Sequence, residues 1–217
     1  MSYEKIIDTQ SYSNSLDTTH ISPSSTILWR IFHASSFIIG GISFIIGTAL
    51  LFPFQSYALS LSSALIYTIG SLGFLFVDIQ EFFTFINDPV LRFNIFLSGS
   101  GSTAYVLGSI GYIPEVQSFS STLGVYGFII GSAFIFSSQV WKLYRIGYWI
   151  SNDTMTASIV EGGACIGALF FLIGSILTLT STSLNSIIIM LVLWMIGSIS
   201  FTIGGLTLSY RHFIMNV

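Results

Sequence analysis

Charge is the scarcest commodity in this sequence. Among 217 residues there are nine acidic and six basic side chains, 7% of the chain. A soluble domain carries roughly 25%, because its surface must be solvated. So few charges cannot cover a water-facing globule of this size, whereas 53% of the residues are hydrophobic and 16% aromatic. Lipid is the solvent that removes the difficulty. A bilayer core about 30 Å thick is crossed by about 20 apolar residues in a helix, and several stretches meet that length. Cysteine is almost absent too. The single Cys165 excludes an intrachain disulfide and any multi-cysteine metal site.

Other absences narrow the classes further. A net charge of -3, thinly dispersed, offers neither a nucleic-acid surface nor a polybasic lipid patch. Ser2 stands where myristoylation needs glycine, and Ile214 to Val217 hold no prenylation cysteine. Residues 1–26 are polar, rich in Ser and Thr, and read as a flexible tail. The first apolar run begins near Ile27 and is too long for the core of a signal peptide. His20, His33 and His212 are scattered, and H-E-x-x-H, G-x-x-x-x-G-K-S/T and G-x-S-x-G do not occur. The expectation is a protein that is not an enzyme and needs no cofactor or metal.

What is present is a repeat. An apolar-Gly-Ser/Thr element recurs at Gly47-Thr48, Gly70-Ser71, Gly108-Ser109, Gly131-Ser132, Gly174-Ser175 and Gly197-Ser198. Within each successive pair the glycines are equally spaced. A further glycine stands at a common offset before the first of each pair, at Gly40, Gly101 and Gly167. This register predicts six transmembrane helices near 28–52, 58–82, 90–113, 119–144, 156–180 and 186–210. They form three hairpin repeats, 27–86, 87–150 and 151–213, between the tail 1–26 and a short end, 214–217. Asn87-Asp88-Pro89, Asn152-Asp153-Thr154, Ser118 and Asn185 are the expected helix caps.

Orientation follows from the cations. Lys5 and Arg30 precede the first helix, Arg92 lies between the second and third, Lys142 and Arg145 end the fourth, and Arg211 ends the sixth. The turns Pro53–Tyr57, Pro114–Ser118 and Ser181–Asn185 carry none, so the positive-inside rule places both termini in the cytoplasm. The hairpins are then parallel repeats about an axis along the membrane normal.

The glycines are expected to pack helices. Small residues let membrane helices approach closely where lipid supplies little driving force, and Gly127-x-x-x-Gly131 and Gly163-x-x-x-Gly167 add the four-residue spacing. Gly99-Ser-Gly101-Ser-Thr-Ala104 matches a dinucleotide fingerprint, yet it lies inside a span rather than at a strand-to-helix turn, and is set aside.

An ionisable side chain inside a membrane is a functional hypothesis by default. Glu161, about 10 Å into the fifth helix if Thr154 caps it, centres a candidate proton or ion site with His33, Asp78 and Glu81. Lys142 holds in the second repeat the position of Glu81 in the first. The competing reading is a belt of inter-hairpin ion pairs, with Trp29, Trp141, Tyr144, Tyr148 and Trp149 as headgroup anchors.

The runs Phe171-Leu-Ile-Gly-Ser-Ile176, Leu193-Trp-Met-Ile-Gly-Ser198 and Phe128-Ile-Ile-Gly-Ser-Ala133 resemble the paired helices of YrhK-like membrane proteins. The resemblance implies a hydrophobic hairpin repeated three times over 28–212, and it brings no catalytic or binding residues with it. Gly47-Thr48 departs from its serine form. The leading expectation is a structural or accessory membrane module, partnered by lipid and by a second copy or other membrane subunits. The alternative is a small channel or permease for protons, cations or small solutes.

Overall fold

A computed structural model of the chain describes residues 26–52, 56–147, 151–180 and 183–216. The polar tail with Lys5 and His20, the aromatic anchors Tyr148 and Trp149, and parts of two turns lie outside the described residues. Among those described, the chain is wholly helical: α1 (Ile27–Leu50), α2 (Tyr57–Thr84), α3 (Pro89–Gly111), α4 (Pro114–Phe119), α5 (Leu123–Ile146), α6 (Asn152–Thr180) and α7 (Leu184–Tyr210). A π-helical turn, Arg211–Met215, continues α7.

Five of these helices, α1, α2, α5, α6 and α7, are long and apolar enough to cross a membrane. The described residues thus form an all-helical bundle with the helix lengths and composition of a membrane protein. The 23 residues of α3 reach about 35 Å at 1.5 Å per residue, but Arg92, Asn94 and the Ser/Gly run 98–103 make it more polar than its neighbours. The surface has the inverted character that lipid favours: Ile39, Ile46, Leu65, Ile69, Ile166, Ile173, Ile196 and Ile203 are exposed, while serines and glycines are buried.

Local chemistry sets the helix ends, and several differ from the sequence expectation. Asp88 caps α3 as expected, its carboxylate accepting from Val90 N and Leu91 N with Pro89 at N1. The segment expected to open the fourth long helix breaks instead. Pro114 starts the short α4, the chain turns at Ser120–Thr122, and α5 begins only at Leu123. Ser118 therefore caps nothing; it lies within α4 and donates to Glu115 O. Ser151 rather than Thr154 caps α6, accepting from Thr154 N, so Glu161 lies about 14 Å from the helix start, deeper than expected. Ser183 rather than Asn185 caps α7. Arg30 and Arg92 lie in the first turns of α1 and α3 rather than outside them. Gly147 ends α5 with φ +72°, a conformation that a side chain disfavours.

Each long helix packs on its neighbours along the chain, and α7 returns to pack on α1, closing a ring of six. Glycines bring the paired helices together. Gly47 meets the ring of Tyr67, Gly108 that of Phe128 and Gly174 that of Trp194; reciprocally, Gly70 meets Phe44, Gly131 meets Tyr105 and Gly197 meets Phe171. Gly40, Gly101 and Gly167 face Phe74, Ile135 and Phe201. The same partners at the same offsets thus occur in all three pairs. At α1 against α7 the close approach is made by Gly41 on Thr202 and Gly205 on Ile38.

Those six rings, Phe44, Tyr67, Tyr105, Phe128, Phe171 and Trp194, one from each long helix, meet on the axis of the bundle. Phe44 lies 5.0 Å from Tyr67, 5.6 Å from Tyr105 and 5.1 Å from Phe171 between ring centroids, and Phe171 stacks on Trp194 at 5.4 Å. Beside them the repeated hydroxyls Thr48, Ser71, Ser109, Ser132, Ser175 and Ser198 are fully buried. Thr48 bonds Tyr67 at 2.6 Å, Ser132 bonds Tyr105 at 2.8 Å and Ser71 bonds Ser109 at 3.0 Å. In the third pair Ser175 Oγ and Trp194 Nε1 have no hydrogen-bond partner.

Candidate ion-binding vestibule

Above this aromatic layer, toward the ends of the helices that carry the cations, the axis opens into a cavity of about 120 Å³. A cavity needs only about 10–15 Å³ by this kind of measure to hold a water, so several waters or one small solute fit. Phe37, Phe74, Ile135 and Phe201 form part of its apolar wall, and every long helix contributes to its lining.

The four residues singled out from the sequence all reach this cavity, and Lys142 of α5 joins them. Lys142 Nζ lies 3.1 Å from Glu81 Oε2 on α2 and 3.6 Å from Glu161 Oε2 on α6. His33 Nε2 of α1 lies 3.3 Å from the other oxygen of Glu81. Its Nδ1 is 3.1 Å from Nε2 of His212, in the π-helical turn. Trp29 stacks on the His33 ring at 4.4 Å. Asp78, one turn before Glu81, accepts a 2.5 Å hydrogen bond from Ser102 of α3. One lysine thus bridges acids from two non-adjacent elements, which is possible only because the ring brings α2, α5 and α6 to a common axis.

A second tier closes the periphery. Arg211 donates to Asp153 O at 2.6 Å and to Thr156 Oγ1 at 2.8 Å, and pairs with the Asp153 carboxylate at 2.9 Å. Arg145 faces Asp88 at 3.5 Å and lies over Trp141. Arg30 donates to His212 O at 3.1 Å, so α1 holds the π-helical turn in place. π-Turns are rare and often mark working sites.

Three carboxylates, of Asp78, Glu81 and Glu161, and three cations, Lys142, Arg145 and Arg211, line the cavity together with His33. Gln139 is buried on the cavity wall with its Oε1 unpartnered, adding an acceptor. A chamber where carboxylates, an amide oxygen and a shared lysine face one another suits a small cation or an exchanging proton.

Gln139, Ser102 and His212 were not foreseen from the sequence, and Arg211 was expected only as a cation at the end of the sixth helix. Gln139 holds the same offset from Gly131 that Asp78 holds from Gly70, so the repeat could have pointed to it. Nothing comparable marks Ser102 or His212. Among the described residues no group of three His, Cys, Asp or Glu side chains is arranged to hold a metal ion. Comparison of the chain with protein-family models, with curated proteins and with solved structures finds no match to any of them.

Proposed function

We propose that this chain is a six-span membrane permease for protons or a small cation, which enter the vestibule from the cytoplasmic face. In this reading α3 is the sixth span, the three hairpins are parallel repeats of YrhK-like kind, and both termini are cytoplasmic. The observation that carries it is the cavity around Glu81, Lys142 and Glu161, where one lysine is shared between two carboxylates. Protein interiors are normally filled to crystal-like density, and a purely structural ion-pair belt has no need of an open chamber at its centre. Lys142 between two carboxylates gives the site a charge that can be exchanged. An incoming cation competes for Glu161, the longer of the two contacts. The six-ring aromatic layer is the closed gate.

The direct test is flux. Purified protein in liposomes under an imposed proton or cation gradient should conduct, and Glu161→Gln should lower the rate at least tenfold while remaining folded. Absence of flux in the wild-type protein under every imposed gradient sinks the permease reading. A second reading, a structural module associating with itself or with other membrane subunits, is favoured by one observation, the unbroken aromatic layer across the axis. It requires that Glu161→Gln lose folded yield and change no flux.

A further inference from the structure

On the outside of the bundle, at the same end as the vestibule, Arg92 stands apart from the other cations among the described residues. Lys142, Arg145 and Arg211 are each paired with a carboxylate, and Arg30 bonds the His212 carbonyl. Arg92 makes no ion pair and no side-chain hydrogen bond with any described residue, and its Nε is buried without a partner. Its guanidinium instead lies over the Phe82 ring, 4.3 Å from the centroid. Around it Phe82, Ile86, Pro89, Phe93 and Phe96 form a groove of about 290 Å³ where the α2–α3 turn meets α3. Phe93, Phe96 and Ile86 are exposed, as lipid-facing side chains are.

We infer that this groove is a binding site for one anionic phospholipid. The guanidinium takes the headgroup phosphate, and an acyl chain lies along Phe93 and Phe96. The chemistry fits in both halves. A planar guanidinium presents paired donors that match phosphate oxygens, and the contact with Phe82 holds it at the groove before the ligand arrives. The rest of the groove is apolar and aromatic, which suits hydrocarbon and rules out a hydrated inorganic anion as the preferred occupant. A lysine that merely reached for the headgroup region would need neither the ring nor the groove. Anionic lipids are concentrated in the leaflet that faces the cation-bearing end of a membrane protein. The inference rests on the membrane reading and is independent of what the vestibule does.

The experiment is native mass spectrometry of the detergent-purified full chain titrated with phosphatidylglycerol or with phosphatidylcholine. The expected result is retention of a single phosphatidylglycerol with at least roughly fivefold preference over phosphatidylcholine, the selectivity of one cation at the membrane surface. Arg92→Gln should abolish the preference and Arg92→Lys should keep most of it. Phe96→Ser should weaken retention of both lipids alike. Equal retention of the two lipids by the wild-type protein overturns the inference, as does an unchanged preference in Arg92→Gln. Displacement of the lipid by millimolar inorganic phosphate would assign the site to a free anion instead. A second copy of the chain in place of lipid would make the groove a dimer contact, and either result defeats the proposal. Lipid retention and ion flux are separate readouts, so failure here leaves the vestibule untouched.

Discussion

Lys142 shows how much one side chain can be asked to hold. Its ammonium serves Glu81 and Glu161 at once, and both acids are largely removed from water. Replacing it with Met leaves Glu161 without its lysine and Glu81 with His33 alone, and breaking a buried pair in this way costs about 3–5 kcal/mol. Lys142→Met should therefore unfold at much lower temperature in detergent, and adding Glu81→Gln should restore part of the loss. A double-mutant cycle measures that coupling; additive losses would mean that the contacts carry no shared energy. The glycines give a second contrast at this scale. A Cβ on Gly131 would lie 2.5 Å from the Tyr105 ring and 2.8 Å from Gly101 O, whereas one on Gly162 meets nothing within 4 Å. Gly131→Ala should cost about 1–3 kcal/mol through overpacking, and Gly162→Ala should be neutral or slightly stabilising. Equal melting shifts for the two would defeat the close-packing account. At the opposite end, Tyr57 donates a hydrogen bond to the exposed Glu115, holding its carboxyl below the ordinary value of 4.5. A lowered folded pKa means that this contact stabilises above about pH 4.5 and is lost as the pH falls through the folded value. Wild type and Glu115→Gln should converge in thermal stability on acidification and separate slightly near neutrality.

At the scale of the element, Asp88 does two jobs that substitution can separate. It caps α3 and pairs with Arg145 at 3.5 Å. Asp88→Asn keeps an N-cap oxygen and loses an ion pair worth about 0–1 kcal/mol. Asp88→Ala also loses the cap, a further cost of about 1 kcal/mol. The order of melting temperatures, Asn above Ala, checks the division. Helices of this kind are legible because lipid demands long apolar runs and because Gly-Ser recurs at fixed offsets; the six long runs fall within a few residues of expectation. Their ends were less legible. Ser151, Thr154 and Asp153 are all chemically able to cap α6, and only the backbone path selects Ser151. The turn expected at Pro114–Ser118 is instead the short α4, and the chain turns at Ser120–Thr122, a shift hidden by a Ser/Thr run able to cap at several positions. The gathering of His33, Asp78, Glu81 and Glu161 followed from their similar offsets along equivalent helices. The pairing of His33 with His212 did not, because it depends on a π-helical turn that no periodicity announces.

For the whole molecule, the decisive fact is closure. Six helices in an open row would leave Glu81, on α2, and Glu161, on α6, too far apart to share one lysine; the contact of α7 with α1 makes the row a ring with a common axis. The aromatic layer is its central filling, and Phe44, fully buried, touches rings from both flanking pairs. Phe44→Ala should cost about 3–5 kcal/mol, as for other large-to-small changes in a packed core. If the layer is the gate, the same variant should also leak ions faster in liposomes than wild type does. A destabilised but equally tight variant would assign the layer to packing alone.

The bond from Arg30 to the His212 carbonyl places the start of α1 beside the end of α7. A closed ring has no privileged beginning. Joining those neighbouring ends through a flexible linker and cutting the chain in the turn before α6 should give a circular permutant with the same six neighbours in the same cyclic order. The order in which the helices leave the ribosome would change while the finished ring would not, and this makes the architecture a means of asking whether insertion order matters to how the protein assembles in a membrane.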